Sequence, residues 1–222
     1  MNLLEKFNIV PKDRHLYDVA FTHGSYGTKH GLDYTYERLE FLGDSVLNMI
    51  VSEYLYKQYP DYEEGKLTKL RANYVCQTAL IYYSHELGLD KHIKIYGDDS
   101  KITENEVLSI TADVFESFLG AIFLDQGIEF AKDYISKIIF PYIDAKKVFF
   151  DYKSVIKEYG DAQEVDIEYK IIDECGVPHN KTFIISILID GKEMGVGKGK
   201  NKKEAEQAAS KQAMKKLKIQ KY

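Results

Sequence analysis

The stretch YERLEFLGDSVLN, residues 36–48, places three carboxylates on a segment that otherwise has the pattern of a buried helix. At 100° per residue, Glu37, Glu40 and Asp44, together with Asn48, lie within about 80° of one another. Leu, Val and Ile fill most of the remaining circumference, so this acidic stripe is not expected to face open water. Partly buried, clustered carboxylates persist only when they are protonated, paired with cations or bound to metal.

A second acidic pair occurs in TADVFESFLGA, residues 111–121. Asp113 and Glu116 are three residues apart and therefore share one face of a helix that is rich in Val, Phe and Leu. If this helix packs against the first, four or five carboxylates converge. Oxygen ligands suit a hard divalent cation such as Mg²⁺ or Mn²⁺, and such a site chiefly serves phosphate chemistry.

Two other interpretations apply to the same acids. A dinuclear-iron bundle requires Glu-x-x-His on its helices, which neither segment has. Buried ion pairs with Arg71 or Lys69 explain the spacing equally well, because structural ion-pair networks also place carboxylates in protein interiors.

The pattern along the chain changes near residue 147. Apolar residues recur at helical spacing over 37–59, 65–88, 104–124 and 128–140, with Gly or Pro between the segments. After residue 150 the predicted elements are a helix at 151–160, strands at 167–172, 182–189 and 193–199, and a helix at 202–218. The prediction is an all-α domain over residues 1–147, followed by a small α+β (α-β-β-β-α) domain over residues 150–220.

Charge is distributed unevenly over these parts. Residues 1–150 carry 16 Lys and Arg against 23 Asp and Glu, and residues 151–191 carry 4 against 9. Residues 192–222 carry 10 Lys against 3 Glu, although the whole chain has a net charge of −5. Positive charge gathered into so short a segment indicates a surface for an anion, whereas a solvated basic tail is the plain alternative.

Composition restricts the class of protein further. Hydrophobic residues make up 45% of the chain and no run of about 18 apolar residues occurs, so a membrane-spanning protein is not expected. The N-terminus lacks the apolar core of a signal peptide. Cys76 and Cys175 are far apart, which argues against a disulfide framework and favours a reducing cytoplasm.

The basic segment has a helix start of its own. Asn201 is a plausible N-cap and Glu204 completes an approximate capping box. Lys202 and Lys203 then lie in the first turn, where the helix dipole disfavours cations. A phosphate bound between the helix N-terminus and these lysines would account for them, while ordinary surface lysines are the alternative.

At this point the residues resemble a known family. ERLEFLGDSVL at 37–47 resembles the signature of the ribonuclease III family, as do AFTHGSY at 20–26 and EGKLTKLRA at 64–72. The segment ADVFESFLGAIFLD at 112–125 continues the match. The C-terminal part, with DYKS at 151–154, PHNKTF at 178–183 and KKEAEQAA at 202–209, resembles the double-stranded-RNA-binding domain that follows in bacterial members.

The resemblance implies a homodimeric endonuclease that hydrolyses double-stranded RNA and leaves 5′-phosphate and 3′-hydroxyl ends. Its substrates would be ribosomal RNA precursors, messenger RNAs and other structured RNAs, in the cytoplasm and without an organic cofactor. The residue roles that it implies in the nuclease domain are as follows. Glu40, Asp113 and Glu116 would hold Mg²⁺, which Mn²⁺ can replace, Asp44 and Glu116 would be catalytic, Glu37 and Glu64 would support them, and Phe41 would pack into the partner subunit.

In the RNA-binding domain the resemblance points to His179, Lys202 and Lys203, with Gln163 expected to substitute for a family glutamine. The sequence departs from the family at Lys157 and Asp161, where glutamines contact the minor groove. Asp161 adds negative charge to a surface that should meet RNA. One competing function is a non-catalytic RNA binder on a relic nuclease domain, which predicts that acids of the cluster are lost, whereas none of those named above is lost. The other is a carboxylate metal protein with a basic tail, which failure to bind duplex RNA would favour.

Overall fold

A computed structural model describes residues 3–96, 103–147, 149, 152–175 and 181–219. The chain divides into two compact units, Met1–Phe149 and Phe150–Tyr222. Because the first unit is helical and the second has the order α-β-β-β-α, the predicted fold class is confirmed.

The first unit is a helical bundle. Its described α-helices are α1 (Leu3–Lys6), α2 (Arg14–Ala20), α3 (Gly24–His30), α4 (Glu37–Gln58), α5 (Glu64–Val75), α6 (Gln77–Leu87), α7 (Glu104–Gln126), α8 (Ile128–Ile138) and α9 (Phe140–Asp144). A single turn of 3₁₀-helix, Asp90–His92, follows α6.

The long helices α4 and α7 carry the centre of the core. The completely buried residues of these helices include Leu47 and Val51 of α4 and Phe115, Phe118 and Ile122 of α7. Each residue of this kind contributes about 1.5–3 kcal/mol through burial of its side chain. The packing therefore fixes the rotation of both helices, and with it the direction in which their acidic faces point.

Within the described residues, one helical segment, Glu106–Gln126 of α7, is long and apolar enough to cross a membrane by length and composition alone. Most of its apolar window, 61%, is buried inside the protein, which is the property of a core helix. Asp113 and Glu116 interrupt the apolar residues of the same segment.

The sequence predicted one helix over 65–88, and this prediction was wrong. Cys76 has an extended backbone (φ −72°, ψ 157°), which separates α5 from α6. The Cys76 thiol donates a hydrogen bond to the carbonyl of Phe149 (3.3 Å). The break therefore lies where the end of the first unit docks on these helices, a contact 73 residues away in sequence that periodicity cannot reveal.

The second unit packs two helices on one face of a three-stranded antiparallel sheet of order β1-β2-β3. Its elements are α10 (Tyr152–Gln163), β1 (Ile167–Cys175), β2 (Thr182–Ile189), β3 (Lys192–Gly199) and α11 (Lys202–Lys216). Ile156, Ile187, Ala209, Ala213 and Met214 form its buried core.

Two local features of the sequence explain this sheet. Asp190 and Gly191 both have positive φ (48° and 74°), as the two-residue hairpin turn predicted between β2 and β3 requires. Gly197 of β3 lies so close to α11 that a Cβ there would come within 2.0 Å of the carbonyl oxygen of Ala205. Glycine at this position allows the basic helix to lie directly on the sheet.

Candidate active site

Two glycines bring the acidic faces of α4 and α7 together. A Cβ on Gly43 would stand 1.8 Å from the backbone oxygen of Glu116, and one on Gly120 would stand 2.3 Å from that of Leu39. The two backbones therefore touch where they cross. Gly43 lies between Glu40 and Asp44 in sequence, so the acidic turns of the two helices meet at this crossing.

The electrostatics show that these acids share one environment. Burial, followed by the charges of Asp113, Glu37 and Asp44, raises the pKa of Glu40 to about 7. Burial, followed by Asp44, Glu40 and Asp113, raises the pKa of Glu116 to about 8. Because the neighbouring carboxylates disfavour the ionised forms of Glu40 and Glu116, these two side chains favour binding a proton or a cation.

Two hydrogen bonds orient members of the cluster. The buried Tyr36 hydroxyl donates to Oδ2 of Asp113 (3.0 Å). Burial raises the pKa of Asp113, while this hydrogen bond and the nearby His23 act in the opposite direction. The Asn48 amide nitrogen donates to Oδ1 of Asp44 (2.6 Å) and to its backbone oxygen (2.9 Å).

Arg71 does not neutralise the cluster. Its guanidinium donates instead to the hydroxyl of Ser52 (2.9 Å), two turns along α4 from Asp44. Among the described residues, the ion pairs involve other carboxylates, such as Glu53 with Lys57 and Lys132. Arg71, one of the two cations considered as ion-pair partners of these acids, therefore bonds elsewhere, and the described ion pairs include none with Glu40, Asp44, Asp113 or Glu116.

The donor set has the chemistry of a hard-cation site. Neighbouring carboxylates raise the pKa of Glu40 and Glu116 at this partly buried crossing, and the described contacts include no ion pair between the four acids and Lys or Arg. Such a set of oxygen donors suits Mg²⁺ or Mn²⁺. In the described parts of the chain, no group of three or more His, Cys, Asp or Glu side chains is arranged to hold a metal ion. Mutual repulsion keeps like charges apart, so a cation between the helices would draw the carboxylates inward.

The supporting acids Glu37 and Glu64 lie in different places. Oε1 of Glu37 lies beside Gly24 of α3, and its charge contributes to the raised pKa of Glu40. Glu64 begins α5, is exposed, and accepts a hydrogen bond from the Thr68 hydroxyl (3.1 Å). This chain therefore brings Glu37 to the edge of the cluster. Glu64, in contrast, is not among the causes of the raised pKa values of Glu40, Asp113 and Glu116.

Phe41 projects outward from the same helix. It is 78% exposed, one of the largest exposures of any apolar side chain described in the molecule. Its position between Glu40 and Leu42 puts this exposed ring next to the acidic cluster.

In the second unit Asn201 caps the start of α11 as predicted, whereas Glu204 bonds to the residue before Asn201, so the predicted capping box is incomplete. Oδ1 of Asn201 accepts a hydrogen bond from the backbone nitrogen of Glu204 (2.8 Å). Oε2 of Glu204 accepts one from the backbone nitrogen of Lys200 (2.8 Å). Lys202 is exposed and Lys203 is half-buried in the first turn that follows.

The other predicted RNA contacts are less closely grouped. Gln163 is exposed at the last residue of α10, and Lys157 and Asp161 are exposed on the same helix. Lys153, one turn before Lys157, is bound to Glu206 of α11 (2.6 Å). His179 lies outside the described residues.

Sequence reasoning missed Tyr36 and His23 as parts of the site. Tyr36 is four residues before Glu40, so a helical projection would have placed it on the acidic face. His23 reaches the site only through the fold: its ring packs on that of Tyr36, with 5.8 Å between centroids.

Comparisons with known proteins agree with this description. Residues 13–143 match the family model for ribonuclease-III-like domains, and residues 152–217 match that for the double-stranded RNA binding motif. The chain is 43% identical to Ribonuclease 3 of Latilactobacillus sakei, covering 91% of this chain and 90% of that protein. It is 43% identical to Ribonuclease 3 of Anoxybacillus flavithermus, covering 96% and 92%.

A solved structure shows the same helical architecture. The nuclease domain of ribonuclease III from Campylobacter jejuni is 36% identical, with a TM-score of 0.56, and the match covers 62% of this chain and 93% of that domain. The likeness is therefore to the first unit, where the acidic crossing lies. Together, the matched models, the relatives and this structure show that the chain belongs to the ribonuclease III family, with a double-stranded RNA binding motif following its nuclease domain.

Proposed function

We propose that this protein is an endoribonuclease that hydrolyses double-stranded RNA with the help of Mg²⁺, which Mn²⁺ can replace. The observation that carries the proposal is the group of four carboxylates at the Gly43–Gly120 crossing, without a described ion pair to Lys or Arg, in a chain of the ribonuclease III family. The family match supports the substrate class, and the chemistry of the donor set supports the metal.

Glu40, Asp113 and Glu116 would hold the ion. When bound, Mg²⁺ supplies Lewis-acid stabilisation of the phosphate and lowers the pKa of the attacking water. Asp44, more exposed than the other three and held by Asn48, would orient that water together with Glu116. Attack at phosphorus with cleavage of the bond to O3′ gives a 5′-phosphate and a 3′-hydroxyl. Glu37 stands at the edge of the cluster as a supporting charge.

We also propose a homodimer. One cluster cleaves one strand, so two clusters related by a two-fold axis cleave both strands of a duplex. The exposed ring of Phe41 supports this arrangement, because an isolated aromatic beside a charged site is a typical interface anchor. The Campylobacter jejuni structure is described as containing a region involved in dimer formation. Glu64 does not contribute to the acidic cluster of its own subunit. We propose that it supports catalysis, as Glu37 does, once the dimer has formed.

The second unit is proposed to hold the duplex. Lys202 and Lys203 lie beside the N-terminus of α11, where backbone N–H groups and lysine heads both favour a phosphate. Double-stranded RNA is recognised by its shape through phosphates and 2′-hydroxyls, so little base specificity is expected. Lys157, Asp161 and Gln163, which are exposed on α10, are proposed to modify this contact, and His179 is proposed as a further contact. Ribosomal RNA precursors and messenger RNAs in the cytoplasm are the proposed substrates.

Cleavage of a long duplex RNA, with the product ends mapped, tests the proposal. Wild-type protein should cleave in Mg²⁺ and stop in EDTA. Glu116→Gln should bind the duplex with unchanged affinity and lose cleavage by at least about 100-fold, while Glu129→Gln, which alters an exposed acid on α8, should cleave normally. Full cleavage by Glu116→Gln would overturn the assignment of the site. Binding without any cleavage by the wild type would show a non-catalytic RNA binder.

A further inference from the structure

We propose that Tyr36 is a positioning residue for the metal site, holding the carboxylate of Asp113 so that its second oxygen points at the cation. This inference rests on the proposed function, because it assigns Tyr36 a role at the same site. The hydrogen bond from the Tyr36 hydroxyl to Oδ2 of Asp113 (3.0 Å) joins residues 77 positions apart. It is a tertiary contact between the start of α4 and the middle of α7.

Tyr36 is held rigidly enough to act in this way. Its side chain is 4% exposed, and its backbone nitrogen donates to the oxygen of the buried Thr22 (3.0 Å). Its own backbone oxygen accepts from the nitrogens of Leu39 and Glu40 (2.9 Å each), which ties it to the first turn of α4. The ring of His23 packs against the Tyr36 ring at an angle of 38°, with 5.8 Å between centroids.

The chemistry of a phenol suits this position. An ordinary phenol keeps its proton near neutral pH, so the Tyr36 hydroxyl donates the hydrogen bond to Asp113. A neutral donor fixes one carboxylate oxygen without adding a cation that would compete with the metal for the cluster. Oδ2 receives the hydrogen bond, and the other oxygen of Asp113 is left for the ion. Such outer partners of metal ligands typically change metal affinity or activity by about 10–100-fold when they are removed.

The chain contains a matched control. The Tyr34 hydroxyl donates to Oδ2 of Asp18 at the same distance, 3.0 Å, but Asp18 is paired with Lys94 and contributes to none of the shifts described in the acidic cluster. Tyr34→Phe and Tyr36→Phe therefore each remove one oxygen from a tyrosine–aspartate hydrogen bond. Only the second change affects a residue of the cluster.

Two readouts separate positioning from a general loss of structure. Binding of Mn²⁺ alone to the RNA-free protein can be followed by electron paramagnetic resonance. The Mg²⁺ concentration that gives half-maximal cleavage can be measured on the same variants. Tyr36→Phe should lower the affinity for Mn²⁺ by about tenfold and raise the Mg²⁺ concentration for half-maximal cleavage by about tenfold. Saturating Mg²⁺ should restore cleavage. Tyr34→Phe should leave both unchanged, and thermal unfolding should verify that both variants are folded.

A double-mutant cycle tests the route through Asp113. In an Asp113→Asn background, Tyr36→Phe should cause no further loss of Mn²⁺ affinity, because the carboxylate that it orients is already gone. Wild-type metal dependence in Tyr36→Phe, or losses that add in the double variant, would overturn the inference. Cleavage by the wild type in EDTA would instead overturn the proposed metal chemistry, and the inference with it.

Discussion

Gly43 of α4 lies directly against the backbone carbonyl of Glu116 on α7, and a Cβ at position 43 would stand 1.8 Å from that oxygen. Real Cβ atoms do not approach a backbone oxygen this closely, so any other residue must push the helices apart. The spacing of the acidic cluster therefore depends on a residue that has no side chain.

Gly43→Ala should therefore damage both stability and activity. Overpacking of this kind costs about 1–3 kcal/mol in the free energy of unfolding, and displacement of catalytic groups by about 1 Å reduces the rate by about 100-fold. Urea unfolding and duplex cleavage measure the two effects. Gly65→Ala on α5, where a Cβ would meet nothing within 4 Å, is the stability control. Equal stability of the two variants would contradict the close contact.

The raised pKa values predict how stability depends on pH without metal. The pKa of Glu40 rises from 4.5 to about 7 and that of Glu116 from 4.5 to about 8 on folding. Between the unfolded pKa of 4.5 and the folded values, the folded protein binds more protons than the unfolded chain. The stability that these two groups contribute therefore falls as the pH increases from about 4.5 to about 8, and above that it is constant.

Thermal unfolding of wild type and Glu116→Gln in EDTA, from about pH 4 to about pH 9, tests this dependence. The variant lacks the charge of Glu116. Its melting temperature should therefore equal that of the wild type at the lowest pH and exceed it most at the highest pH. Addition of Mg²⁺ should remove the advantage, because the cation stabilises the ionised wild-type cluster. Parallel curves for the two proteins in EDTA would show that Glu116 is not perturbed.

Lys202 should contribute to binding of duplex RNA through its charge alone. Lys202→Ala should weaken duplex binding and reduce the slope of log affinity against log salt concentration by about one, while the rate at saturating RNA is unchanged. Lys215→Ala, in the last turn of the same helix, is the control, about 20 Å from Lys202 along α11. Filter binding over a range of salt concentrations measures the slope. An unchanged slope in Lys202→Ala would exclude a phosphate contact.

Phe41→Ala should weaken the proposed dimer. Buried aromatic anchors at interfaces contribute about 2 kcal/mol or more, which is about 30-fold in the dissociation constant of the dimer. Sedimentation velocity over a range of protein concentrations measures this shift. Val10→Ala removes another highly exposed apolar side chain (82% exposed) and should leave the dimer intact. A monomeric wild type would contradict the assembly.

Asn73 should anchor the end of the first unit. Its amide donates to the backbone oxygen of Lys147 (3.3 Å) and accepts from the backbone nitrogen of Phe149 (3.0 Å). Asn73→Ala should cost about 1–3 kcal/mol and accelerate limited proteolysis near residue 147. Gln77→Ala, whose amide donates to Ser109 instead, serves as the control. Unchanged proteolysis in Asn73→Ala would show that the aromatic packing of Phe149 is sufficient.

Some features of the fold could be predicted because they depend on neighbours in sequence. The periodicity around Leu47 and Phe118 predicted the core helices, and the Asp190–Gly191 pair predicted the hairpin turn. The motif around Glu40 and Asp44 also indicated the family, because it is a contiguous run of residues. The break at Cys76 was missed because its cause lies at Phe149, far along the chain.

The sequence by itself determined which acids share a face of each helix, the order of the two units, and the basic start of α11. These are local properties, since helix geometry and capping relate residues only a few positions apart. Only the tertiary structure decided which acids meet. The contacts of Gly43 and Gly120 bring Glu116 to Glu40 and Asp44, Arg71 is directed to Ser52, and Tyr36 is directed to Asp113. Helical periodicity fixes the direction of a side chain on its own helix. How closely two helices cross depends instead on the size of the side chains at the contact, and glycine at position 43 has no side chain to separate them.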